Sequence, residues 1–187
     1  MAALGYIIAG FALCLALVLA KDHFWSFRAQ TLSDYAGEAP EFDVRTSLGG
    51  VFLADGVIYD HSGRVNARFR ANVTGKFDEV GGVMDEEFFY VDKAEPQRRQ
   101  WRITFTGPKT FTAEADDIVG TALGEASGNA LRFTYKLRLP ERLGGHVLDV
   151  VDWLYLMEDG TIVNRSDMRK FGIRAAELIA IFRRAEG

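Results

Sequence analysis

Val65-Asn66-Ala67-Arg68-Phe69-Arg70-Ala71-Asn72-Val73-Thr74 alternates apolar and polar side chains without a break. Successive side chains of an extended chain point to opposite faces. Period two therefore puts Val65, Ala67, Phe69, Ala71 and Val73 on one face and the polar residues on the other, the pattern of a half-buried strand. The rule recurs downstream. Trp101, Ile103 and Phe105 alternate with Gln100, Arg102 and Thr104, and Leu131, Phe133, Tyr135, Leu137 and Leu139 alternate with Arg132, Thr134, Lys136 and Arg138.

Shorter strands are expected at residues 51–60, 83–92 and 110–119. Turn signals separate them: His61-Ser62-Gly63, residues 78–82, Glu95-Pro96, Gly107-Pro108, residues 124–129, Gly144-Gly145 and Asp159-Gly160. Connections this short join antiparallel neighbours, since a parallel crossover needs about a dozen residues or more. The order is thus an up-and-down meander of about eight to ten strands, and closure into a barrel removes its two exposed edges. Basic strands (Arg68, Arg70, Lys76; Arg102; Arg132, Lys136, Arg138) alternate with acidic ones (Asp85, Glu86, Glu87; Glu114, Asp116, Asp117), which predicts cross-strand ion pairs on the outer wall. Residues 147–157 are apolar on both faces, so something covers that strand from outside, either residues 21–46 or a partner. Residues 173–182 suit a closing strand or an amphipathic helix, and Leu178-Ile179-Ala180-Ile181-Phe182 favours the strand.

Residues 1–20, MAALGYIIAGFALCLALVLA, carry no charge. At ~1.5 Å rise such a helix matches a ~30 Å hydrocarbon core. The segment is expected to be a membrane anchor or an export signal; Val18 and Ala20 offer a small-x-small cleavage site, yet no basic residue precedes the apolar run. Residues 21–41 are expected to be a linker, with Phe24, Trp25 and Phe27 as an interfacial aromatic belt, and residues 42–187 the barrel. Lys21 and Arg28 after the span would, by positive-inside counting, favour the cytoplasm. The 22 basic and 26 acidic residues give a net charge of −4, which supplies no electrostatic reason to bind nucleic acid. The single cysteine, Cys14, lies in the apolar segment, which excludes a disulfide or thiolate metal site in the barrel.

A set of short motifs carries a resemblance. Residues 115–124 (ADDIVGTALG), Gly128-Asn129-Ala130 with Tyr135 and Leu137, Asp152-Trp153-Leu154-Tyr155-Leu156, Asn164-Arg165 and Lys170-Phe171-Gly172 are similar to a proteobacterial family catalogued as domain of unknown function thirty-eight thirty-three. Gly56, Gly63, Asp85-Glu86 before Phe88, and Arg99 before Trp101 agree with it. The resemblance implies a lipocalin-like barrel, usually exported and often an envelope lipoprotein. Here Leu13 before Cys14 departs from a lipidation site, so a spanning anchor replaces the lipid. The expected location is the inner membrane with the barrel facing the periplasm, or the periplasm after cleavage. The family brings no catalytic residues.

His23, His61 and His146 lack ligand spacing, so no metal or cofactor is expected. No serine sits in a nucleophile elbow, so no catalytic residue is assigned. Gly120, Gly124 and Gly128 read as tight turns and close strand approach. A small barrel has room for one ligand where its lining leaves space, and Phe69, Trp101, Phe105, Phe133, Tyr135 and Trp153 are the expected inward residues. The expected partner is therefore a hydrophobic small molecule or lipid lined by Trp101, Phe133, Tyr135 and Trp153. Asp117 or Asn164 would meet its polar end, and Asp117, Asn164 and Lys170 would form an internal cluster. Two further readings are an assembly protein docking a partner on the Trp153 strand and a lipid-modifying enzyme using Asp117 or Lys170.

Overall fold

The alternating run at residues 65–74 lies within a thirteen-residue strand, β2 (Val65–Phe77), that follows β1 (Gly50–Asp60) through a tight turn. Asp60 shapes that turn: its Oδ1 accepts from the Ser62 and Arg64 amides at 2.8 and 3.1 Å. Eight more strands follow: β3 (Gly81–Tyr90), β4 (Gln97–Phe105), β5 (Thr110–Glu114), β6 (Ala122–Ser127), β7 (Ala130–Arg138), β8 (Val147–Leu156), β9 (Ile162–Lys170) and β10 (Ile173–Arg184). Each pairs antiparallel with its chain neighbour, and β10 returns to pair with β1 from Phe52↔Arg184 to Asp60↔Ala176, closing a barrel. The structure, a computed structural model, describes residues 2–91 and 94–185, the side chains of Ala2, Leu19, Asp22 and His23 excepted. Asp92, the expected end of one strand, and Gly187, the expected end of the barrel domain, lie outside the described residues.

On the strands with one apolar face, that face is the inward one. Phe52, Ala54, Phe69, Ala71, Val73, Trp101, Ile103, Phe111, Leu131, Phe133, Leu154 and Ile162 belong to one buried cluster. Small residues make room for the rings. A Cβ on Gly124 would stand 2.1 Å from the Phe111 ring, so this glycine belongs inside β6 beneath an aromatic plate. The turn expected at residues 124–129 accordingly shrinks to Gly128 and Asn129. On the outer wall the expected ladder of ion pairs is present in part: Arg98–Glu87 (2.7 Å), Lys136–Asp149 (2.6 Å) and Arg102–Asp116 (3.3 Å). Glu86 departs from it, because its parity is inward.

The two ends of the barrel differ. At the end where β1 begins, a short helix, α2 (Val44–Ser47), is capped by Asp43, whose Oδ1 accepts from the Arg45 and Thr46 amides. Phe42, Val44 and Leu48 join the main core from there, and Arg184 ties the plug down through the Thr46 and Gly49 carbonyls at 2.6 and 2.8 Å. At the other end no helix seals the core among the described residues; there Ala115 and Ile118, between β5 and β6, pack onto it from one side.

Residues 27–35 form two 3-10 turns strapped along the outside of β8. Phe27, Leu32 and Tyr35 cover Val151 and Trp153, and the Trp153 side chain is 0% exposed. Tyr155 donates to Gln30 Oε1 at 2.7 Å, and Arg165 lies over the Phe27 ring at 4.3 Å. The doubly apolar strand is thus covered by the chain's own segment. N-terminal to the strap, α1 (Ala2–Phe24) presents an exposed apolar surface, as do Phe24 and Trp25 at its end. Its described side chains run unbroken only over residues 3–18, and among the described residues no helix is long and apolar enough to cross a membrane.

Candidate functional site

Glu86, Arg99 and Asp152 stand at inward positions of β3, β4 and β8, next in parity to Phe88, Trp101 and Leu154. A charge on the inward face must be paired or neutralised, because burial penalises the ionised form. Arg99 is paired twice. Its Nη2 and Nε donate to Asp117 at 2.7 and 3.1 Å, and its Nη1 lies 3.6 Å from Glu86. The Trp101 indole N–H donates to the same Glu86 carboxylate at 3.2 Å. Asp117 reaches Arg99 because β5 stops at Glu114: the Ile118 amide bonds the Ala115 carbonyl at 3.0 Å, and the resulting turn swings Asp117 over the open end. The strand expected to run to residue 119 therefore ends five residues early.

Beside this group, the Tyr135 hydroxyl donates to Asp152 Oδ2 at 2.9 Å. Asp152 Oδ1 is buried without a hydrogen-bond partner, although Ser166 faces Asp152 across the β8–β9 ladder; the Ser166 hydroxyl bonds Asn164 Oδ1 at 3.4 Å. Burial raises the Asp152 carboxyl to about 6, against the lowering effects of the Ser166 and Tyr135 hydroxyls and of Arg99. Burial also raises Glu86, despite Arg99 and Trp101, and it raises Tyr135 well above the usual phenol range, with the Asp152 charge adding to it. Arg99 stays protonated, because Glu86 and Asp117 outweigh its own desolvation. One guanidinium thus holds two carboxyl groups, Glu86 and Asp117, and of the three acids in this region burial biases Glu86 and Asp152 toward their neutral forms.

Glu86, Arg99 and Asp117 line an open cleft of about 1050 Å³ that also takes in Arg138, Leu139 and Arg142 and extends onto the outer wall at Asn72, Asp85 and Gln100. Beneath it the aromatic interior is packed ring on ring. Trp101 lies 4.9 Å from Phe133 and 5.3 Å from Tyr135, and Phe133 lies 5.4 Å from Phe111. Among the described residues no group of three His, Cys, Asp or Glu side chains is arranged to hold a metal ion. What the arrangement offers is hydrogen-bond donors and acceptors of both charges, reached from one side, on a rigid aromatic base.

Residues 22–184 match the family described as Protein of unknown function (DUF3833). The chain belongs to this family. Two solved structures share the architecture of this DUF3833 member. Rv2717c from M. tuberculosis has a TM-score of 0.56 at 13% identity, with 80% of this chain and 99% of that chain covered. The S-type phycobiliprotein lyase CPES from Guillardia theta has a TM-score of 0.52 at 7% identity, with 78% and 94% covered. At such identities the likeness is one of fold, and it makes the DUF3833 barrel lipocalin-like. No curated protein matches the chain.

Of the expected lining of the DUF3833 barrel, the structure brings Trp101, Phe133 and Tyr135 together and joins Asp117 to them through Arg99. Trp153 is a correction. It pairs with Arg132 and Arg165 on the outward parity and packs 5.3 Å from Tyr35 beneath the strap. Asn164 is buried inside, but it donates to the Trp153 carbonyl at 3.2 Å and does not meet Asp117. Lys170 leaves the expected cluster altogether, its Nζ lying 2.7 Å from His146 Nδ1 at the rim. Glu86, Arg99 and Asp152 were not expected in the site. For Glu86 and Arg99 the signal is a charge at the parity of Phe88 and Trp101; Asp152 carries none, because its strand is apolar on both parities.

Proposed function

We propose that this protein is a binding module: a lipocalin-like barrel, held at a membrane by α1, that takes an amphipathic, lipid-like small molecule through its open end. The observation that carries this reading is the Glu86–Arg99–Asp117 cluster lining an open cleft, in a barrel plugged at its other end. The polar end of the ligand meets Arg99 and Asp117, where hydrogen bonds act at low dielectric, while Leu139 and Pro140 cover its apolar part. Fold likeness to a phycobiliprotein lyase supports ligand binding by such barrels as a class. The uncharged sequence of residues 1–20 and the exposed apolar side chains of α1 support the tether, and the export that the sequence resemblance implies supports the inner membrane with the barrel in the periplasm.

Asp152 favours a second reading. A buried carboxyl held near 6, bonded to Tyr135 and within the field of Arg99, is the kind of group that moves protons in a catalytic site. The strap, in contrast, already occupies the face on which an assembly partner was expected. Solvent extraction of the purified full chain, followed by mass spectrometry, tests the binding reading. An amphipathic molecule should be recovered near one per chain and recovered chemically unchanged. Recovery of nothing, together with no uptake of any apolar probe, would overturn it; a molecule modified in wild type but not in Asp152→Asn would move the second reading to first place.

A further inference from the structure

Phe171 and Gly172 form the two-residue turn between β9 and β10, with φ of +53° and +79°. Turns of this shape take Asn-Gly or Gly-Gly, because a positive φ is strained for a bulky residue. Yet a phenylalanine occupies the first position, it is 88% exposed, and Ile173 beside it is 74% exposed.

The next hairpin around the same open end repeats the chemistry. Its loop exposes Leu143 next to Arg142, and it is tied to the β9–β10 tip by the His146–Lys170 contact. Lys170 also lies 5.5 Å from the Phe171 ring. Phe171, Ile173 and Leu143 thus project from one side of the mouth, flanked by Lys170, Arg142 and Arg174, the last of these shared with Glu177 and Asp167. Apolar tips with basic flanks are complementary to a bilayer surface carrying anionic headgroups, where rings bury in the acyl boundary and cations stay among phosphates. The position of the tether agrees. Phe27, just after α1, sits over Arg165, and only five residues of β9 at ~3.3 Å each separate Arg165 from the tip.

We infer that this side of the mouth docks on an anionic phospholipid bilayer through Phe171, Ile173 and Leu143, so that the barrel opens toward the membrane surface that holds α1. The inference rests on the membrane tether proposed above. Ligand then passes between bilayer and cleft without crossing bulk water.

The test uses the full chain with Cys14→Ser and Ile173→Cys, labelled with an environment-sensitive fluorophore and reconstituted in phosphatidylethanolamine–phosphatidylglycerol vesicles. A matched label at Met157→Cys on the plugged end serves as control. The label at 173 should shift to the blue and be quenched by nitroxide-bearing acyl chains, and the label at 157 should do neither. Adding Phe171→Gly should abolish the shift at 173 while raising the melting temperature by roughly 2–4 °C, because it removes a strained backbone. Vesicle flotation separates the two readings: a chain that floats with its 173 label still in water overturns the docking and leaves the tether, whereas a chain that does not float overturns both. A shift that grows with protein concentration in the absence of vesicles would mark a second copy as the occupant and overturn the inference.

Discussion

Asp152 shows what a single inward charge does to this barrel. Its carboxyl sits at about 6 in the folded chain against 3.8 as the ordinary value, so between those pH values the folded state keeps a proton that the unfolded chain has released. Stability therefore falls as pH rises through this window, and the penalty is fully present above it. A difference of this size corresponds to at most roughly 3 kcal/mol. Asp152→Asn is expected to stabilise the chain by about 1–3 kcal/mol at pH 8 and to flatten the slope between pH 4 and 6, read by urea unfolding. Burial also raises Glu86, which contributes a remaining slope of the same sign. An unchanged profile would contradict the assignment. None of this was legible at residue 152. Its strand is apolar on both parities, so period two could not say whether Asp152 or Trp153 faces inward. The parity follows only from the register, in which Trp153 opposes Arg132 and Asp152 opposes Phe133.

Elements show the reverse balance. Strands with one polar face, such as β2, β4 and β7, were readable because alternation and burial agree, and residues 173–182 proved to lie in strand β10. The errors fell where a local rule was overridden by a contact distant in sequence. Gly124 sits inside β6 because the Phe111 ring lies on it, and the early end of β5 at Glu114 goes together with the Asp117–Arg99 pair, which no local pattern announces. The strap was legible as a need for cover, while its choice over a partner was not, since Phe27, Leu32 and Tyr35 have no period that names their target. Trp153→Ala removes the indole under that strap. The expected cost is about 3–5 kcal/mol, accompanied by faster proteolysis near residues 26–40 and little change in probe affinity for the chain that remains folded. A loss of affinity with the strap still protected would instead place Trp153 in the ligand's path.

On the function proposed above, three regions of the molecule take three jobs: the plugged end seals, the open cleft binds and the apolar helix α1 tethers. The tether makes a topological prediction. Protease added to intact spheroplasts should digest the barrel, whereas protection until lysis would put it on the cytoplasmic side, as Lys21 and Arg28 alone would suggest. The cleft makes a chemical one. Arg99 holds Glu86 and Asp117 together, and removing it alone would leave buried carboxylates without their cation at a cost of about 3–5 kcal/mol, so the informative variant pairs Arg99→Met with Glu86→Gln. The decisive measurement is a fluorescence titration of purified full-length protein with an amphipathic acyl probe, comparing wild type, this double variant and Trp153→Ala. Saturable binding near one probe per chain, weakened at least about tenfold in the double variant and retained by folded Trp153→Ala, is the predicted result. Wild-type affinity in the double variant, or no saturable binding in any of the three, would contradict a ligand site built on Arg99.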